Sequence, residues 1–509
     1  MREELDEVLH RARFAGIGAA ILGLALLITP LNLVGAVLLV VGCVIVGLAE
    51  PDLGLLGILV LFPAYPLLSK VVGTDLGVAG AALLIFSSWK EVLLAAVLVS
   101  QAGRLLARHP DWRGFRPHPV DCFGGALVVL VAFGLALGHN GLAANETRLM
   151  LFPIGVYVAV RLSNLTVRRF IEAAAVAAFG VAAFLIFQSS FLSTSFAAHY
   201  WGAPTFSVPA TFIATGLTGA RGAGTLASPN EAALAMAVWA CMLAASLLVL
   251  RERMRWHALV LGVVLLALGL TFSRSAILAT PVGLAFLAVG AARSIGFRQR
   301  QGIKLMVTAG VAVVAILVVV YAERGGIDLV RATFMSVTST PAATTDSESP
   351  ATPGVDSSTI AHANSLSYGW SVVQANPLGV GLGEVGYRVV PWTGERAKYV
   401  IESWYLTMGM SLGWAGFVWA LLLPPVFFLL ALAAIRRGRV LPGLALLGTS
   451  VAIGGICVLL PTMAEPQLAM LPWALAAFAV RPRSPASDDR LESGPIPAVA
   501  GAAQASTLS

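Results

Sequence analysis

The sequence predicts an all-α, polytopic membrane helix bundle. Three observations carry that expectation. The 509 residues are 58% hydrophobic and only 12% charged, where soluble domains run nearer about a quarter charged. Apolar runs of about 17–25 residues, each able to cross a bilayer as a helix, recur from Phe14 to Val480. Basic residues gather in alternate gaps between those runs, as topology signals do.

Taken in order, the runs place spans at about 14–29, 33–49, 54–68, 77–103, 122–139, 149–163, 170–190, 231–250, 258–272, 276–291, 305–322, 404–435, 441–461 and 467–480, about 14 transmembrane helices. The first run is followed by many others, so it reads as a span and not as a cleaved signal peptide. Arg104, Arg108, Arg113 and Arg116 share one gap; Arg161, Arg168 and Arg169 share another. Arg251, Arg253 and Arg255, then Arg293, Arg298, Arg300 and Lys304, then Arg436, Arg437 and Arg439 follow. Arg481, Arg483 and Arg490 end the series. All of these fall on one side when both termini are cytoplasmic. The net charge of +7 is therefore a topology signal, and nucleic acid is not an expected partner.

The chain divides accordingly. Residues 1–322 hold helices 1–11, with an outer loop at about 191–230. Residues 323–402 form a large extracytoplasmic loop between helices 11 and 12. Residues 403–481 hold helices 12–14, and 482–509 form a disordered cytoplasmic tail. The large loop contains "STPAATTDSESPATPGVDSS", whose Ser/Thr/Pro composition reads as a flexible insertion. The 51 glycines fit close helix packing. Cys43, Cys122, Cys241 and Cys457 all lie in or beside apolar runs, so neither a disulfide nor a metal site is expected.

Few basic residues fall on the outer side: Lys70, Arg148, Arg221, Arg274, Arg324, Arg331, Arg388, Arg396 and Lys398. Insertion disfavours them there, and a binding site for an anion is one reason to keep them. Guanidinium groups grip phosphate oxygens in pairs. In "TFSRSAIL", residues 271–278, Arg274 sits in a very short outer turn. It is either an interfacial anchor or a fixed cation facing an outward cavity. In "GARGAGTLASPNEAALAM", residues 219–236, Ser228, Pro229 and Asn230 enter a helix with Glu231 in its first turn, and Arg221 lies in the Gly-rich approach. A plain surface loop is the alternative. "HANSLSYGWSVVQANPLGVGLGEVGYR", residues 362–388, is an amphipathic stretch that then turns on glycines; His362 is a candidate base or an ordinary loop histidine.

"IESWYLTMGMSLGWAG", residues 401–416, sets Glu402 just ahead of an apolar run. The helix dipole favours the ionised carboxylate and burial opposes it, the balance that suits a general base. A helix-end charge without chemistry is the alternative. Gly409, Gly413 and Gly416 are spaced to line one helix face for close packing, and Pro424 with Pro425 is expected to kink the continuation.

Four pieces in this order, "RGAGTLASPN", "FSRSA", "ANPLGVGLG" and "ESWYLTMGMSLGWAG", resemble the O-antigen ligase and O-antigen polymerase superfamily. The likeness runs from about Arg221 to Gly416 by motif and over nearly the whole chain by topology. It implies an integral-membrane glycosyltransferase of the bacterial cytoplasmic membrane, with its site facing outward and no metal or other cofactor. Such an enzyme moves a glycan from undecaprenyl diphosphate to a hydroxyl of an acceptor glycan, with inversion. By position Arg221 and Arg274 match the family's diphosphate-binding arginines. The family's His-Asn/Ser-x9-Gly-x-x-Gly motif aligns on Glu402-Ser403, nine residues, then Gly413 and Gly416. Glu402 thus stands where the ligases carry the histidine base, which resembles the polymerase branches. The resemblance implies Glu402 as the catalytic base; His362 does not align with the ligase histidine and is a second catalytic candidate, and Arg388, Arg396, Asn230 and Tyr405 are candidate substrate contacts. A flippase and a chain-length regulator are the implied protein partners. Ligase-type transfer to another acceptor stays open. So does a lipid-linked oligosaccharide transporter, which predicts charges at mid-depth in several spans. A peptidoglycan polymerase of the shape-and-division family shares the architecture, but its motifs are not found.

Overall fold

The computed structural model of the chain describes residues 2–108, 117–138, 140–192, 196, 199–200, 221–250, 254–294, 357–386 and 397–481. Among them nine helices are long and apolar enough to cross a membrane, or ten when one bent pair is taken as a single span. The chain is a polytopic membrane helix bundle. The expected span at 305–322, most of the large loop and the tail lie outside the described residues.

Helices α1 (Arg2–Leu27) and α2 (Asn32–Ala49) form an antiparallel pair at the edge. Their backbones nearly touch: a Cβ on Gly23 would lie 2.6 Å from the Gly35 carbonyl oxygen. Glycine is what permits that approach. The next span is segmented as α3 (Pro51–Leu61), a tight turn at Phe62–Ala64, α4 (Tyr65–Lys70) and a wide turn at Val71–Asp75. Pro63 and Pro66 lack the amide hydrogens that a continuous helix would use.

The expected span at 77–103 is also broken. It comprises α5 (Gly80–Ser87) and α6 (Trp89–Arg108), bent by 43°. The physical reason lies in Lys90 and Glu91. Lys90 is 2% exposed; its Nζ donates to the Ser87 carbonyl at 2.7 Å and sits 4.0 Å from the Tyr65 ring centroid. Glu91 pairs with Lys90 at 3.2 Å and with Arg148 at 3.3 Å. A buried charge persists only with such partners.

Helices α7 (Pro119–Leu137), α8 (Leu142–Leu162) and α9 (Val167–Phe191) follow. The centre is α10 (Pro229–Val249), with 94% of its apolar stretch buried. Around it stand α9, α11 (Met254–Leu270), α12 (Arg274–Ser294), α15 (Val440–Leu459) and α16 (Pro466–Val480). Helix α13 (Ser357–Ala375) packs on α14 (Trp404–Arg436).

The basic clusters converge at one end. Arg161 pairs with Asp121, which also accepts from the Tyr157 hydroxyl at 2.6 Å. Arg439 donates to the Ala479 carbonyl at 2.7 Å, and Arg481 to Leu165 at 2.6 Å. Burial, and then the charges of Arg437, Arg161 and Arg439, hold the His118 imidazole below its ordinary pKa.

The glycines of α14 depart from the expected packing face. Gly413 has φ of +70°, so it breaks the helix instead of lining it. The non-helical dihedrals therefore fall at Gly413, ahead of Pro424 and Pro425. Gly416 approaches its own helix, where a Cβ would meet the Leu412 Cβ at 2.4 Å. Gly409 alone of the three faces a neighbouring helix, 3.0 Å from Val373 of α13.

Candidate active site

The end of the bundle opposite the arginine clusters carries the predicted residues. Helix α11 closes on itself through Thr271, whose hydroxyl donates to the Leu268 carbonyl at 2.7 Å. Phe272 then takes φ of +51°, a left-handed conformation that costs a non-glycine residue about 1–2 kcal/mol. The reversal is so short that Arg274 becomes the first residue of α12. A cation there opposes the helix dipole, whose positive end lies at the N-terminus. Cation and dipole together make a site for an anion.

Arg221 is drawn to the same turn. Its Nε donates to the Thr271 carbonyl at 2.9 Å, and the Gly222 amide donates to the Leu270 carbonyl at 3.0 Å. Its Nη2 donates to Asn230 Oδ1 at 2.9 Å. Burial, and then the nearby Arg274 charge, push the Arg221 pKa down to about 10, so it stays protonated at neutral pH. Two guanidinium groups are thus held close at one helix start. A bound dianion would relieve their repulsion.

The segment carrying Arg221 is pinned on both sides. Gln188 of α9, 2% exposed, accepts from the Ala223 amide at 3.1 Å and the Gly224 amide at 2.8 Å. Gly222 admits no side chain: a Cβ would lie 2.4 Å from Ser189 Oγ. Thr225 donates to the Pro63 carbonyl at 2.8 Å and accepts from the Leu67 amide at 3.1 Å. The segmented span of α3 and α4 therefore braces the arginine loop through Pro63 and Leu67. Ser228 then caps α10, accepting from the Glu231 amide at 3.2 Å, as the Ser-Pro-Asn entry predicts.

The glycine loop finds its place in α14. The Pro377 carbonyl accepts from the Trp414 amide at 3.0 Å, and the Val380 amide donates to the Met410 carbonyl at 2.7 Å. The loop fills the gap that Gly413 opens. On its other side the Leu382 amide donates to Gly134 at 3.0 Å, and Asn140 donates to the Gly383 carbonyl at 2.8 Å. Glu146 accepts from the Gly383 amide at 2.7 Å. Gly379, Gly381 and Gly383 all have positive φ and all touch backbone or side chains within 2.6–2.7 Å or closer of where a Cβ would stand.

Glu402 lies two positions before α14, half-buried, with its amide donating to Ser365 Oγ of α13 at 3.1 Å. His362 is one helical turn before Ser365 in α13; its side chain lies outside the described residues, as do Arg388 and Arg396. Tyr405 is buried, and its hydroxyl donates to the Gly454 carbonyl of α15 at 3.0 Å. The adjacent Gly455 faces Ala279 of α12, 3.2 Å from where its Cβ would stand. Helix α15 thus links the start of α14 to the first turns of α12, which places Glu402 and Arg274 at one end of the bundle. Asn230 is engaged with Arg221 and serves to position it.

Sequence reasoning passed over Gln467 and Glu465. Gln467 is 4% exposed and donates to Glu231 Oε2 at 3.3 Å and to Glu465 Oε2 at 3.5 Å. A Glu-Pro-Gln entry to an apolar helix is the signal that marks them. Gln188 sits in an unbroken apolar run, and one polar residue there gave no such signal. Among the described residues no group of three or more His, Cys, Asp or Glu side chains is arranged to hold a metal ion.

No curated protein matches the chain. Residues 258–421 match the sequence model of a family described as O-antigen ligase. That stretch includes the α11–α12 reversal, Arg274, the glycine loop and Glu402, while Arg221 lies before it. The match covers about a third of the chain and supports a likeness to the O-antigen ligase/polymerase superfamily and a membrane glycan-transfer function.

Proposed function

We propose that this protein transfers glycan repeat units from an undecaprenyl-diphosphate carrier to an acceptor glycan hydroxyl, as an O-antigen, capsule or exopolysaccharide polymerase does. The observation that carries the reading is the arginine pair: Arg221 and Arg274 share one helix start, where an anion gains from both charges and from the dipole. Transfer from a diphosphate needs that neutralisation of the leaving group.

The chemistry balances on these residues. The Glu402 carboxylate takes the proton of the acceptor hydroxyl. The freed oxygen bonds to the anomeric carbon as the bond from that carbon to the diphosphate breaks. The electron pair leaves on the diphosphate oxygen, where Arg221 and Arg274 meet it, and the anomeric centre inverts. His362, one turn from the Glu402 contact on α13, is the second candidate for proton handling. Arg388 and Arg396 are proposed contacts to the donor or the acceptor. The site faces away from the cytoplasm, because the arginine clusters gather at the other end.

Glu402→Gln in the native host, with membrane levels confirmed by blotting, tests the proposal. Accumulation of single-repeat lipid-linked units with loss of long polymer is the expected result. Accumulation of long lipid-linked polymer indicates ligase-type transfer instead. Unchanged polymer refutes the role of Glu402 and reopens the transporter reading.

A further inference from the structure

At the arginine-rich end, remote from the pair Arg221 and Arg274, a cavity of about 120 Å³ opens between the start of α3, the end of α6 and the α8–α9 turn. Asp52, Gln101, Arg104, Ser163 and Asn164 line it. Gln101 is 4% exposed, and neither its amide oxygen nor its amide nitrogen has a partner among the described residues. Buried amides are almost always satisfied, so both ends of this one call for a ligand that donates and accepts. Arg104 donates to the Ala49 carbonyl at 3.1 Å from one nitrogen and is otherwise exposed. Arg481 lies behind the lining and donates to the carbonyls of Leu165, at 2.6 Å, and of Ser163; it brings a second positive charge within electrostatic reach of Asp52. Asp52 accepts from the Asn164 amide at 3.3 Å. Glu50 next to it is balanced by Arg13 at 3.6 Å.

The arrangement therefore carries one net positive charge, two cations against one carboxylate, beside a buried amide. It stands at helix ends, at the depth of lipid headgroups, in a bundle that spans a bilayer. We propose that it binds the headgroup of one anionic phospholipid of the phosphatidylglycerol type. The phosphodiester, with a single negative charge, meets Arg104, and the charge of Arg481 behind the lining favours it. The glycerol hydroxyls donate to Asp52 and to the Gln101 amide oxygen, and accept from its amide nitrogen. A choline headgroup offers no hydroxyl and cancels its own charge, so it satisfies neither requirement.

The test uses the full chain, purified in detergent and delipidated. Dioctanoyl phosphatidylglycerol, dioctanoyl phosphatidylcholine, glycerol 3-phosphate and inorganic phosphate are titrated against thermal stability, with native mass spectrometry to count adducts. Phosphatidylglycerol is expected to raise the melting temperature and give a one-lipid adduct, with at least a tenfold lower midpoint than phosphatidylcholine. Gln101→Met keeps the volume and removes the unmet amide. Without lipid it should melt no lower than the wild type, yet its midpoint for phosphatidylglycerol should rise at least tenfold. Arg104→Gln should do the same. Equal midpoints for the two lipids, or unchanged midpoints in both variants, overturn the proposal. A full shift from inorganic phosphate or glycerol 3-phosphate alone also overturns it, in favour of a soluble phosphate ligand.

Discussion

Arg274 shows how much one position can hold. As the first residue of α12 it works against the dipole, and the left-handed Phe272 that sets it there adds its own cost. A bound anion would offset both, and geometry matters as much as charge. Arg274→Lys and Arg221→Lys keep the cation but lose the paired donors. Each is expected to cost about 1.5–3 kcal/mol of anion binding, about 10- to 100-fold in transfer rate measured in membrane vesicles. A rate within twofold of the wild type in both would remove the diphosphate role. Gln188→Leu leaves the Ala223 and Gly224 amides buried without an acceptor. It should lower stability by about 1–3 kcal/mol, seen as a lower melting temperature, with transfer falling alongside.

Among elements, the joint between the glycine loop and α14 is the least forgiving. Gly413→Ala would set a Cβ 2.3 Å from the Pro377 carbonyl oxygen at a positive φ, and neither backbone can yield. We expect loss of folded protein on size-exclusion chromatography. Gly262→Ala in α11 is the control: nothing lies within 4 Å of the added methyl, and stability should hold or rise by up to about 1 kcal/mol. If both variants behave alike, the joint is not a constraint. The cap of α7 carries a pH dependence. His118 binds its proton less readily folded than unfolded, because of burial and the arginines around it. As pH falls below about 6.5 the unfolded state takes up the proton first, so stability is intact above that pH and declines beneath it. His118→Asn should flatten the decline in melting temperature; an equal decline would assign it to other groups.

At the scale of the molecule, the residues proposed for the site come from across the chain. The matched family segment begins at residue 258, but Arg221 and the Gln188 that anchors its loop come earlier. The broken span at Phe62–Ala64 braces the same loop. A fragment starting at Met254 should therefore insert into membranes yet show no transfer, and co-expression of residues 1–253 should restore it. Transfer by the fragment alone would place the diphosphate site wholly within the matched segment.

The sequence by itself determined the membrane class and the apolar helices and singled out the two arginines as candidates, because hydropathy and scarce outward charges are local signals that the bilayer enforces residue by residue. It also marked Glu402 and the Ser-Pro-Asn helix entry, whose chemistry is written in neighbouring residues. Only the tertiary structure decided that Gly413 breaks α14 to receive the Pro377 loop, that Lys90 and Glu91 bend a span, and that Gln188 holds the Arg221 segment. Those outcomes depend on partners tens to hundreds of positions away. A glycine spacing or a lone glutamine carries no record of which distant backbone will need it.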